Sequence, residues 1–241
     1  MVALPLFSAF EAHVINVTAK IENALTVPIE EINFGTVFPQ EALDKTFDVF
    51  LSQSFLDEDR VDDVEYHIRQ KPKCANDPLN PTEFSTVFED EQGVFHCRGR
   101  EHQFLPLLCP YLSKHELTTD GTEQENDTGI NAFHGLPGEW TMSTTLATQV
   151  RGRLAKSAGD TNDLWDVDLK VPCFGGHCAQ DWEDFVASSN PADTELDPSE
   201  YIPAIDNEHK VFGCVLWLEV SRICLSGPPP LGCEDQIDLM L

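Results

Sequence analysis

Trp165–Val171 reads WDVDLKV, and every second residue is apolar: Trp165, Val167, Leu169 and Val171 alternate with Asp166, Asp168 and Lys170. A pleated strand sends successive side chains to opposite faces, so the pattern predicts a strand with one buried and one wetted face. The same period recurs upstream. Phe47, Val49 and Leu51 alternate with Thr46, Asp48, Phe50 and Ser52, and Val64, Tyr66 and Ile68 alternate with Asp63, Glu65, His67 and Arg69. Nearer the amino terminus Ile15, Val17, Ala19 and Ile21 alternate with Asn16, Thr18, Lys20 and Glu22. Four half-wet strands point to an all-β chain that buries its apolar faces in a two-sheet sandwich.

Val211–Val220 (VFGCVLWLEV) is apolar on both parities, which predicts a central strand covered on both sides or an element held between two sheets. Helical signals are few. Ala179–Ala187 (AQDWEDFVA) spaces Trp182, Phe185 and Val186 as one face of a short helix, and Gln40–Leu43 after Pro39 reads as a helical turn. From about 71 to 157 the chain is rich in turn formers (CANDPLNPTE, TTDGTEQENDTG, FHGLPGEW) and keeps no sustained period. A structureless loop of that length is improbable in a compact domain, so this region is expected to be a loop-rich insertion with short strands of its own. The strongest strands flank it, and early strands must therefore pair with late ones.

The opening Met1–Phe10 (MVALPLFSAF) is apolar and free of charge. Without Lys or Arg and with Pro5 it does not read as a secretory signal, and no run approaches the roughly 20 apolar residues that span a bilayer. Val2, Leu4, Leu6 and Phe10 share parity, so an extended arm would offer one apolar face to a groove in this molecule or in a neighbour. Residues 1–12 are assigned as that arm and 13–241 as the sandwich with its insertion.

Asp and Glu outnumber Lys and Arg by 42 to 15, for a net charge of −27. That balance argues against a nucleic-acid or anionic-membrane partner, either of which needs a basic footprint. An acidic surface either keeps an exported protein soluble or is offset by divalent cations. Asp57, Asp59, Asp62 and Asp63, with Glu58, crowd the stretch DEDRVDD between two strands, and Asp120, Glu123, Glu125 and Asp127 form a second cluster. Each is either a solvated loop or an oxygen-rich Ca²⁺ site.

Eight cysteines allow four bridges. Locality pairs Cys173 with Cys178 across FGGH and Cys224 with Cys233 across LSGPPPLG, and leaves Cys74, Cys97, Cys109 and Cys214 open. Bridges would place the chain in an oxidising compartment outside the cell. No CxxC, HExxH, GxSxG, Walker loop or GxGxxG occurs; His115-Glu116-Leu117-Thr118-Thr119 has Thr where a second zinc ligand belongs. No residue is assigned a catalytic role. Asn16-Val17-Thr18 and Asn126-Asp127-Thr128 match the glycosylation sequon.

FSAFEAHVINVTAKIENAL at residues 7–25, INFGTVFP at 32–39, DLWDVDLKVPC at 163–173 and FGCVLWLEV at 212–220 together resemble the TasA/camelysin family of exported prokaryotic surface proteins, processed by a SipW-type signal peptidase. The resemblance covers about residues 7–70 and 160–223. It implies a jelly-roll-like sandwich that polymerises head to tail outside the cell, the N-terminal segment of one subunit completing the sheet of the next, after loss of an export signal that this chain does not carry. Val2, Leu4, Leu6, Phe7 and Phe10 would then be the donor-strand residues. The expectation is a non-enzymatic filament subunit; the alternatives are an exported metal-dependent peptidase and a monomeric surface module that binds a ligand.

Overall fold

Nine residues of β10 (Asn162–Lys170) pair antiparallel with β2 (Ala42–Leu51), from Asn162 opposite Phe50 to Lys170 opposite Ala42. The computed structural model describes residues 20–29, 31–77, 80–84, 86–98, 104–118, 120–124, 129–135 and 140–226. The β2–β10 register sets Trp165 against Phe47 and turns Val167, Leu169 and Val49 to the same side, where all are buried. The short strands β1 (Leu25–Thr26) and β8 (His115–Leu117) flank this pair, giving the order β1-β2-β10-β8. In a second sheet, β3 (Val61–Pro72) lies between β9 (Val150–Ala155) and β11 (Cys214–Leu225). Val64, Tyr66 and Ile68 of β3, with Val150 and Leu154 of β9, join the residues of the first sheet in one buried apolar cluster. The chain is mostly β, with three short α-helices among the described residues: α1 (Gln53–Leu56), α2 (Met142–Ala147) and α3 (Trp182–Ser189).

The alternation read at Phe47–Leu51, Val64–Ile68 and Trp165–Val171 thus falls on β2, β3 and β10, and early strands do pair with late ones, β2 with β10 and β3 with β11. The amino-terminal strand is different. Residues 1–19 lie outside the described residues, while Lys20–Glu22 join no strand and Ile21 is 94% exposed. Among the described residues pairing begins at Leu25, opposite Leu51. The helical turn expected at Gln40–Leu43 is instead a tight turn at Pro39–Gln40. Gln40 takes φ 64° and donates its N–H to Val171 O at 2.9 Å, and β2 starts at Ala42. The Trp182 helix forms as α3, with Trp182 and Val186 buried and the indole N–H donating to Pro198 O at 2.9 Å.

The middle of the chain divides in two. Its first half makes two hairpins, β4 (Asn76–Asp77) with β5 (Asn80–Phe84) and β6 (Val87–Glu89) with β7 (Phe95–Cys97). Phe95, Cys109 and Trp140 form a small cluster of their own, and the Cys74–Cys97 and Cys109–Cys214 bridges tie this region down. The second half supplies β8 and β9 to the two main sheets and Tyr111, Leu112 and Phe133 to the main core. Residues 71–157 thus hold both the two hairpins and strands of the main sheets; outside β9, where Val150, Gly152 and Leu154 alternate inward, their core residues are too widely spaced in sequence to show a period.

Phe133 anchors one end of that core. Its backbone is left-handed, φ 59°, a conformation that costs a residue with Cβ about 1–2 kcal/mol. The ring is fully buried and meets Tyr111, Trp182 and Tyr201 edge-on, with centroids 5.3–5.9 Å away. Each such pair contributes about 0.5–1.5 kcal/mol beyond area burial, enough together to hold the strained turn.

Tyr66 faces Gly152 across the β3–β9 pair, and a Cβ at Gly152 would fall inside the Tyr66 ring. The ring has no room to retreat because its hydroxyl is fixed in the core. Gly152→Ala is expected to lower unfolding free energy in a denaturant titration by about 1–3 kcal/mol, the usual cost of overpacking, whereas Gly175→Ala, with open space around it, should change it by less than about 0.5 kcal/mol.

Candidate functional site

β11 is twelve residues long and lies at the edge of its sheet: β3 pairs with one side, and among the described residues no strand pairs with the other. Among the described residues the apolar run at Val211–Val220 is thus covered by a strand on one side only. Leu216 and Leu218 face inward and are only partly buried, and further along Val220, Ile223 and Leu225 are 37%, 45% and 56% exposed. Irregular pairing between Val220 and Arg222, and again between Ile223 and Leu225, bends the second half of the strand. A long apolar edge is a template for strand addition, which soluble proteins ordinarily blunt with charges, prolines or a covering element.

The inner side of that edge opens on an apolar cleft of about 310 Å³ between the sheets. Leu216, Leu218 and Ile68 form one wall and Phe47 and Val167 the floor; Val27, Ile32 and Phe34, from the stretch between β1 and β2, form the opposite wall. Residues 27–29 and 31–37 belong to no strand, so side-chain packing rather than a hydrogen-bonded ladder holds that wall. The Cys109–Cys214 bridge fixes the start of β11, where Gly213 also exchanges backbone hydrogen bonds with Pro106 and Leu108.

Two buried polar groupings lie deeper. Trp165 Nε1 donates to Tyr66 Oη at 2.8 Å, and the Tyr66 hydroxyl donates to Asp163 Oδ2, linking the sheets through a site where Tyr66 and Asp163 are 0% and 4% exposed. Burial, reinforced by the nearby Glu116 charge, pushes the Asp163 carboxyl well above the ordinary carboxylate range despite the Tyr66 hydrogen bond. Lys114, fully buried on the inner side of the chain entering β8, donates from Nζ to Thr148 O at 2.7 Å, and burial lowers its pKa to about 7. Nearby, His134 contacts Asn131 O through Nδ1 at 2.6 Å and the Gln70 side chain through Nε2 at 2.8 Å. Burial and the Lys114 charge lower its pKa to about 4. A neutral His134 has one N–H; with Nδ1 donating it to Asn131 O, Nε2 can only accept, so the Gln70 amide, whose Oε1 lies at that contact, must turn its NH₂ group toward the ring, which would also give the unpartnered Gln70 Nε2 its acceptor. These groups are bound to structural partners inside the core.

The acidic stretch chosen from sequence is dispersed. Asp57 accepts from Gln53 Nε2 at 2.7 Å at the end of α1, and Asp59 sits in the following turn. Asp62 accepts from the N–H and hydroxyl of Ser157, while Asp63, 3% exposed, pairs with Arg153 Nη2 at 2.5 Å. Asp120 is held by Thr118 and Thr122; Glu125 and Asp127 lie outside the described residues. Among the described residues no three His, Cys, Asp or Glu side chains are gathered as around an ion. His115–Leu117 form a strand, not the helix that an HExxH motif needs. Cys173 is bridged to Cys178, and the four cysteines left open pair as Cys74–Cys97 and Cys109–Cys214. Cys224 is buried; Cys233, both sequons, and Val2, Leu4, Leu6, Phe7 and Phe10 lie outside the described residues. No described helix is long and apolar enough to cross a membrane.

Sequence reasoning missed Asp163 and Lys114. Asp163 carried a signal, since it shares the inward parity of Trp165, Val167 and Leu169; Lys114 carried none. Asp163 retains in the folded state a proton that the unfolded chain releases near pH 3.8. Its contribution to stability is full below that value and is lost as pH rises through the raised folded-state value. Asp163→Asn, whose amide accepts from Tyr66 and donates toward Glu116, is expected to remove that decline, so chemical-denaturation curves of wild type and variant should diverge with increasing pH. Lys114 has the opposite sign: between pH 7 and 10.5 the unfolded chain holds the extra proton, and stability rises with pH. Lys114→Met should flatten that rise. No protein-family model, curated protein or solved structure matches this chain.

Proposed function

We propose that this chain is a structural subunit of an extracellular filament, polymerising by donation of the residue 1–12 arm of one copy to the open edge of β11 in the next. The observation that carries the reading is the β11 edge itself: twelve residues, unpaired on one side among the described residues, bordered by an apolar cleft and with Val220, Ile223 and Leu225 half in water. An added strand supplies main-chain hydrogen bonds, and its alternate side chains fill pockets. Val2, Leu4 and Leu6 have the spacing to enter the cleft on one face. Pro5 falls on the opposite parity and is tolerated in a strand with one free edge. Because the arm leaves its own fold to serve another copy, the contact is heterologous and propagates as a filament.

Under this reading the two sheets are the halves of a jelly-roll-like sandwich, and the protein acts without catalysis in the manner of the TasA/camelysin family that its ends resemble. Three described disulfides fit an oxidising, extracellular setting.

Negative-stain electron microscopy of the full chain tests the reading. Deleting residues 1–10 is expected to leave a folded monomer, by circular dichroism and gel filtration, that forms no filaments. Leu218→Asp is expected to block addition at the acceptor side, so that equal mixtures of the two variants stop at dimers instead of growing. Filaments that persist without the arm, or monodisperse wild-type particles under all conditions, would sink the proposal.

A further inference from the structure

Three strands place polar residues at neighbouring register positions on the outer face of the four-stranded sheet. Asp166 and Asp168 occupy successive outward positions of β10; Asp44 of β2 lies directly opposite Asp168, and His115 of β8 directly opposite Asp166. The chain just before β8 continues the same register, with Leu112 bridging Leu169 and the Ser113 N–H donating to Asp168 O at 2.9 Å. Leu112 and Lys114 are buried on the inner side, so alternation turns Ser113 outward, beside Asp168.

Like charges placed directly opposite each other destabilise a sheet, and here the Asp44–Asp168 pair has Asp166 next to it. The Lys170 ammonium, 2.7 Å from Asp168 Oδ2, answers part of that repulsion. It leaves Asp168 Oδ1, Asp166 Oδ1 and Ser113 Oγ, all shut off from solvent and all without a hydrogen-bond partner. Ser113 is 4% exposed. Burial together with the Asp168 and Asp44 charges also pushes the Asp166 carboxyl above its ordinary range. Orphaned buried oxygens in a folded protein call for an occupant. An all-oxygen set with two carboxylates is the donor chemistry of a hard cation.

We propose that Asp166, Asp168 and Ser113, with Asp44 beside them, bind a divalent hard cation of the Ca²⁺ class, which displaces the Lys170 ammonium from Asp168. While Lys170 holds Asp168, the carboxylates stay apart; the cation draws them together and replaces a flexible side chain by a point charge. The site is separate from the DEDRVDD stretch and does not depend on the filament reading.

Calorimetric titration of the full, metal-stripped chain with CaCl₂, and separately with MgCl₂, tests this. One saturable site is expected. Asp166→Asn/Asp168→Asn, which removes like charges on an outer face, is expected to keep the circular dichroism of the wild type and weaken binding at least tenfold. Asp57→Asn/Asp59→Asn should leave it within twofold. Lys170→Met, which leaves every oxygen in place, is expected to tighten binding severalfold. Absence of saturable binding to the wild type, affinity unchanged by the Asp166/Asp168 variant, or weaker binding by Lys170→Met would each overturn the assignment.

Discussion

The Tyr66 hydroxyl sits between the two sheets, taking a hydrogen bond from Trp165 and giving one to Asp163. Because Tyr66 belongs to one sheet and Asp163 and Trp165 to the other, the contact fixes the parity of β3 and β10 together. A slip of either strand by one residue would turn its whole inward set to the opposite face and leave a buried carboxyl without a donor. Gly152 is part of the same constraint, since only a residue without a side chain lets the tyrosine ring lie against β9. The apolar core thus supplies most of the burial, while a small polar contact selects one arrangement of it.

The acidic composition is handled differently inside and outside. Among the described residues Asp63 and Asp163 are the buried aspartates, and each is neutralised in its own way: Asp63 by the Arg153 guanidinium, Asp163 by retaining a proton. An ion pair exchanges one charge for another and persists over a wide pH range, whereas a retained proton ties the contact between sheets to the acidity of the medium. The buried cation Lys114 is relieved in the same way as Asp163, by losing its charge rather than by finding a carboxylate. Both choices avoid the desolvation cost of an unpaired charge in the core.

Where apolar residues alternated strictly, the sequence was a good guide, because one buried face is a local property: β2, β3 and β10 were legible, as were α3 and the Cys173–Cys178 bridge. Legibility failed where placement depended on distant partners. The apolar run of β11 reads identically whether its far edge is covered or bare, and the sequence left open a central strand or an element between two sheets; among the described residues only β3 pairs with it. Cys109 and Cys214 lie 105 residues apart, and nothing in their surroundings names either as the other's partner. Ile21 keeps a strand-like neighbourhood yet stands in water, because alternation states only that a strand would be amphipathic and not that another strand is there to pair with it. The acidic stretch at 57–63 reads from sequence as a solvated loop or a metal loop, and nothing local to it announces that Asp62 and Asp63 meet Ser157 and Arg153, 95 and 90 residues away.

The Cys109–Cys214 bridge also has a mechanical meaning. It closes a covalent ring around β8, α2, β9, β10 and α3. A pull applied between the two ends of the chain runs from the N-terminal side to Cys109, crosses the sulfur–sulfur bond, and leaves along β11. Residues 110–213 stay slack, so under tension β10 can be peeled from β2 only by removal of β2, and the described strands that bear the load are β1, β2, β3 and β11.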